Sequence, residues 1–232
     1  NKNNILFVCG FVLLSMIACH PQDTITSATQ IRFSQDSVYF DTVFTSIGSS
    51  TQRIMLYNDS KDPVFIESIS SKTTYFQINL DGENQIDLIK HYEIPAQDSI
   101  FLFIRACIDP FKQDNPVLIE DTLLFVIDNN VVSLPMQAYG QDVILLKTKE
   151  GRTEFPSGYT FHANRPYLIY DTVLVAGKMQ IMPGATLYMH NNASIYALGS
   201  VEALGEKNAP ITIRGDRLDK LFEKVPYKYA SG

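Results

Sequence analysis

The chain of 232 residues contains no tryptophan, three cysteines and four histidines. So few cysteines exclude a disulfide scaffold and a Cys-rich zinc module. A basic surplus is also missing: 19 Lys and Arg stand against 25 Asp and Glu, giving a net charge of −6 and a pI near 5.2. Nothing is left over to neutralise phosphates, so nucleic acid is not an expected partner. The chain has no Gly-rich phosphate loop, no Gly-x-Ser-x-Gly elbow, no His-Glu-x-x-His and no Cys/His metal spacing, and these absences predict no cofactor and no metal site. His20, His91, His162 and His190 fall in unrelated segments and read as surface or turn residues. What remains is 45% hydrophobic and 19% charged, a balance that excludes a disordered chain and suffices for one large or two small domains with cores of their own.

A long apolar run occurs once, over residues 5–18 after Lys2. It is short of the ~20 residues that a membrane-spanning helix needs and reads as a signal peptide over 1–18. Its end, Met16-Ile17-Ala18-Cys19, places a small residue directly before a cysteine and resembles the lipobox of bacterial lipoproteins. The resemblance implies cleavage before Cys19 and acylation of its thiol, so that palmitate anchors the chain to the outer membrane. Cys9 is then discarded, and Cys107, inside the apolar stretch 100–108, reads as a small buried hydrophobe. Residues 19–30 are polar and rich in Thr and Ser, as befits a tether. In Bacteroidota lipoproteins an acidic cluster after the cysteine marks export to the cell surface. Here Asp23 stands alone, and the face of the membrane, periplasmic or outer, stays open.

Residues 31–142 read as a β-sandwich. Short β-prone stretches at 31–33, 37–40, 53–58, 64–69, 76–80, 99–106, 122–126 and 131–136 alternate with turn formers, the spacing of an immunoglobulin-like fold. Within 101–106 nearly every position is apolar, which predicts a central strand buried on both faces. Asp128-Asn129-Asn130 predicts a hairpin turn and Asn58 a cap at a strand end. The succession FDTVFTSIGSSTQ (40–52), LYNDS (56–60), FQINLDG (76–82), IPAQDSIFLFI (94–104) and LPMQAYGQD (134–142) resembles the immunoglobulin-like domain that opens a group of Bacteroidota lipoproteins. That implies a scaffold or interaction module without catalytic residues.

After a connector over 143–170, the texture over 171–232 changes to very short strands, at 172–175, 178–181, 186–189, 194–197, 200–203 and 211–213. Apolar positions at Leu174, Ile195 and Ile213 recur about every 20 residues, the length of a parallel β-helix rung. Pro183-Gly184, Gly199, Gly205 and Asn191-Asn192 supply its corners. The stretch 179–217 resembles the N-terminal coils of right-handed parallel β-helix proteins of the pectate-lyase type. The expected fold is therefore all-β: an immunoglobulin-like sandwich followed by the first coils, about two, of a right-handed parallel β-helix. Two coils do not bury their own interior, and with no initiator Met the chain reads as a truncated fragment of a longer protein.

Chemistry-bearing clusters are few. Arg214, Asp216, Arg217, Asp219 and Lys220 lie together and read as a solvated, self-paired loop, although pectate-lyase-like enzymes use Asp to hold calcium and Arg or Lys as base. The triplet Asp-Ser/Thr-apolar recurs around Thr24, Ser37, Thr42, Ser99, Thr122 and Thr172. It resembles the O-glycosylation acceptor of Bacteroidota envelope proteins; equally, it is what the beginning of a β-strand looks like, with Asp closing the preceding turn. The functional expectation is a lipid-anchored envelope protein with a non-catalytic binding or structural role, meeting glycan or another envelope protein through the β-helix. The alternatives are a polysaccharide lyase or hydrolase with catalytic rungs beyond residue 232, and an accessory subunit of an outer-membrane complex whose partner is a β-barrel protein.

Overall fold

The computed structural model describes residues 31–84 and 91–218. Cys19, Thr24, the signal peptide and the tether, with Asp219 and Lys220, lie outside the described residues. Strands β1 (Ile31–Phe33), β2 (Val38–Phe44), β3 (Gln52–Asn58), β4 (Val64–Ser70), β5 (Phe76–Leu80), β6 (Tyr92–Ile94), β7 (Ser99–Ala106), β8 (Val117–Ile127) and β9 (Asn130–Gln141) build a two-sheet sandwich. One sheet runs β1-β3-β7-β5 and the other β2-β9-β8-β4-β6. All pairings are antiparallel except β2 with β9. Alternate residues of each strand turn inward, so Ile54, Leu56, Leu102, Ile104, Leu123 and Phe125 are fully buried between the sheets. Each such side chain contributes about 1.5–3 kcal/mol by leaving water.

Local chemistry sets the strand ends. Asp128 and Asn129, at φ 46° and 64°, form the two-residue loop between β8 and β9, the left-handed pair that a tight hairpin demands. Asn58 caps its strand as expected: its buried amide donates to the carbonyls of Asp62, Ile94 and Pro95 and its oxygen accepts from the N–H and hydroxyl of Ser60. Strand β7 departs from expectation. Ile100, Leu102, Ile104 and Ala106 are buried, but Phe101 is 37% exposed and Arg105 lies in solvent. The strand is buried on one face, and its aromatic residues alternate outward because strand periodicity, not composition, assigns the face.

Beyond Asp142 the chain winds into a parallel β-solenoid of about three turns. The first rung is β10 (Ile144–Leu146), β11 (Arg152–Phe155) and β12 (Gly158–Phe161); the second is β13 (Tyr167–Ile169), β14 (Thr172–Val175) and β15 (Lys178–Ile181). The third is β16 (Thr186–Met189), β17 (Ser194–Ala197) and β18 (Val201–Ala203), and β19 (Thr212–Gly215) begins a fourth. Three parallel faces result: β10-β13-β16-β19, β11-β14-β17 and β12-β15-β18. The stretch expected as a connector thus contains a complete rung. Its signature is disguised because the interior positions are Thr153, Phe155, Tyr159 and Phe161 rather than a run of aliphatics. Phe155 stacks on Tyr159 at 3.9 Å, and Phe161 meets Tyr167 edge-on at 4.9 Å.

The ladder also differs in register from the expected one. Ile195 stacks on Val173 rather than on Leu174, and Ile213 stacks on Leu187, on a different face. A constant period cannot tell the three faces apart when corner loops differ in length. At one corner backbones approach so closely that side chains are excluded: a Cβ on Gly199 would stand 2.3 Å from the Gly177 carbonyl oxygen.

Sandwich and solenoid meet through Phe44 and Tyr188, ring centres 4.9 Å apart, and through Arg165, whose guanidinium holds Asp114 at 2.8 Å. Asp142, just after β9, ties the end of the sandwich together before the solenoid begins. Its buried carboxylate accepts from the Thr45 hydroxyl at 3.0 Å and from the N–H groups of Phe111 and Gln113 at 3.1 Å.

Candidate functional site

On the β10-β13-β16-β19 face, the residue following each strand occupies the same corner of successive rungs. These residues are Lys147, Tyr170, His190 and Asp216. The backbone ladder carries through them: Tyr170, His190 and Asp216 donate their N–H groups to the carbonyls of Leu146, Ile169 and Met189. Parallel pairing superposes the side chains. Lys147 Nζ sits 4.1 Å above the Tyr170 ring, Tyr170 stacks on His190 at 3.7 Å with planes 12° apart, and His190 Nδ1 lies 2.6 Å from Asp216 Oδ2. An ionised carboxylate only accepts, so the ring donates from Nδ1.

His190 and Asp216 open on a cavity of about 200 Å³ between solenoid and sandwich, walled opposite by Phe40–Phe44 and by the turn running from Ile47 to Ser50. A β-bulge between Phe40 and Thr42, where the pairing of β2 with β9 shifts, re-aims this wall. Beside it, burial pushes the Tyr188 hydroxyl above the usual phenol range, and the nearby Arg214 opposes that only in part. Among the described residues no group of three His, Cys, Asp or Glu is disposed to hold a metal ion.

His190, read as a surface or turn residue, and Asp216, read in a solvated loop, are half-buried and bonded to each other across 26 residues. The signal that could have found them is positional, since each member of the ladder stands one residue past an apolar strand of the same face. His91 is exposed and packs on Phe65 at 5.6 Å, and His162 donates its backbone N–H to the Tyr167 hydroxyl.

Of the hydroxyl residues singled out, Ser37 is exposed, whereas Thr42, Ser99, Thr122 and Thr172 are half-buried. In three of these triplets the Asp carboxylate, of Asp41, Asp98 or Asp121, accepts the N–H of the following Thr or Ser. Asp121 also takes Lys72 and Thr73 N–H and the Thr73 hydroxyl. Cys107 is half-buried, and its N–H donates to the Tyr75 carbonyl.

No family model matches the chain, and no curated protein matches it. Among solved structures, a family 123 glycoside hydrolase from Clostridium perfringens is 8% identical with a TM-score of 0.37, covering 48% of this chain and 26% of its own. A protein of unknown function from Porphyromonas gingivalis W83 is 17% identical with a TM-score of 0.33, covering 49% of each chain. The E. coli chaperone DraB is 13% identical with a TM-score of 0.31, covering 47% of this chain and 53% of its own. The matched part thus spans from about a quarter to about a half of those structures. The fold defines an all-β protein in which a two-sheet sandwich carries a parallel β-solenoid.

Proposed function

We propose that this is a cell-envelope protein, anchored to the outer membrane by lipid on Cys19, whose solenoid binds a glycan without transforming it. The observation that supports this reading is the register of Lys147, Tyr170, His190 and Asp216 along one rigid corner. Neighbouring strands repeat every ~4.8 Å, so the ladder offers one side chain per step to an extended polymer. Two aromatic rings supply apolar edges, and Lys147, His190 and Asp216 supply donors and acceptors, the pairing that a sugar ring with its C–H faces and hydroxyls requires. The sandwich wall opposite closes the cleft on one side and orients the chain.

The test applies the full chain to immobilised peptidoglycan, lipopolysaccharide-derived oligosaccharides and neutral glucans. Retention on one of them, weakened about tenfold by Tyr170→Ala, is the expected result. Absence of retention on all of them, or recovery from native membranes in stoichiometric complex with a β-barrel protein, contradicts it.

A second reading, a polysaccharide hydrolase or lyase, is favoured by one feature. An imidazole held by a carboxylate beside a cavity is the arrangement of a general base. Release of new reducing ends from the retained glycan, abolished in His190→Ala, distinguishes it from simple binding.

A further inference from the structure

The outward face of the sheet β1-β3-β7-β5 is a second surface, remote in sequence from the corner ladder. Every outward position of β3 and β7 can be read from the alternation. Arg53, Met55 and Tyr57 on one strand lie beside Phe101, Phe103 and Arg105 on the next, with Met55 paired to Phe101 and Arg53 to Phe103. Phe101 and Phe103 stack at 5.9 Å, and Arg53 lies 5.5 Å over the Phe101 ring. Arg32 of β1 lies 4.1 Å over the Tyr57 ring and pairs with Asp59 beyond the strand end. Arg105 is held in place by the carbonyls of Ile47 and Ser49.

Charge singles this face out. The chain carries a net charge of −6, yet the outward residues of these four strands include three arginines and no Asp or Glu. A guanidinium lying on an aromatic ring is pre-organised and partly desolvated while its N–H edge stays open to a planar carboxylate. Large aromatic groups on a solvent-facing sheet are not needed for the core, which the opposite side chains already fill.

We infer that this face binds an acidic polysaccharide, its carboxylates taken by Arg53 and its sugar faces resting on Phe101 and Phe103. The charge complementarity decides between a neutral and an acidic chain, and the flat extended ring pair decides for a polymer over a small anion.

Affinity electrophoresis of the full chain at low salt tests it, with polygalacturonate, dextran, an oligothymidylate and anionic vesicles as separate probes. Polygalacturonate alone should retard the protein, and each of Arg53→Gln and Phe101→Ser should weaken that retardation about tenfold. Arg152→Gln, an exposed arginine of the solenoid, should leave it unchanged, which separates this face from the solenoid. Both sheet substitutions replace outward side chains, and a circular-dichroism melt confirms that each variant is folded. Retardation by dextran or the oligothymidylate to the same degree, preference for the vesicles, loss of polygalacturonate binding in His190→Ala but not in Arg53→Gln, or no retardation at all would each overturn the assignment.

Discussion

His190 Nδ1 donates to Asp216 Oδ2 over 2.6 Å although 26 residues separate them in the chain. The bond spans two successive rungs, so it reports whether β19 is laid down on β16 in the observed register. The carboxylate keeps a proton on Nδ1. Replacing Asp216 by Ala removes the carboxylate and should release this preference. Nitrogen chemical shifts of the His190 ring in the wild type should mark Nδ1 as the protonated nitrogen, and those of Asp216→Ala should show the mixed tautomers of a free imidazole. In urea the variant should be about 1–2 kcal/mol less stable than the wild type.

Asp142 makes the end of the sandwich sensitive to acid. Burial pushes its carboxyl up, but the N–H groups of Phe111 and Gln113 and the Thr45 hydroxyl outweigh this and hold it below the usual carboxylate range. The same competition, with Thr73, Lys72 and Thr122 as donors, lowers Asp121. A folded-state pKa below the unfolded value contributes stability that is fully present above the unfolded value, about 4, and is lost as pH falls through the folded one. Stability measured from about pH 7 down to about pH 2 should therefore drop below about pH 4. In Asp142→Asn the protein should be about 1–3 kcal/mol less stable at neutral pH and fall less steeply in acid.

The glycine corner predicts a local failure. A Cβ on Gly199 would meet the Gly177 carbonyl oxygen at 2.3 Å, and one on Gly177 would stand 2.5 Å from the Ser157 carbonyl carbon. Backbone cannot yield as a flexible side-chain tip does, so Gly199→Ala should cost about 1–3 kcal/mol. Hydrogen exchange should place the loss in β17 and β18, with β3, β7 and β8 of the sandwich keeping their protection.

The lipid proposed on Cys19 carries a simple expectation. Cells fed a palmitate analogue should label the protein, and Cys19→Ala should abolish the label and shift the chain from the membrane to the soluble fraction. Labelling that persists in the variant, or membrane association unchanged by it, contradicts the anchor.

Much of this architecture is legible in the residues. Strands β14 to β17 fall where short apolar pairs are punctuated by Gly, Pro and Asn, and Asn191 adopts the left-handed conformation that its position at a corner implies. Asp128-Asn129 likewise carries its turn in its chemistry. The first rung was hidden because its core is aromatic and includes Thr153, whose buried hydroxyl finds no partner, so aliphatic periodicity fails there. The faces of strand β7 are not legible because Phe101 and Phe103 look like core by composition, and only pairing with β3 shows which face they occupy. The corner ladder was least legible. Lys147, Tyr170, His190 and Asp216 come from four rungs joined by loops of unequal length, and which residues superpose depends on the register of every rung between them.

The most direct test of the proposed function is titration calorimetry of the retained glycan into the full chain and into Tyr170→Ala and His190→Ala, with Arg152→Gln as a folded reference. Binding by the parent that falls about tenfold in both ladder variants and persists in Arg152→Gln is the predicted result. Equal affinity in the parent and the two ladder variants would contradict a glycan site at this corner.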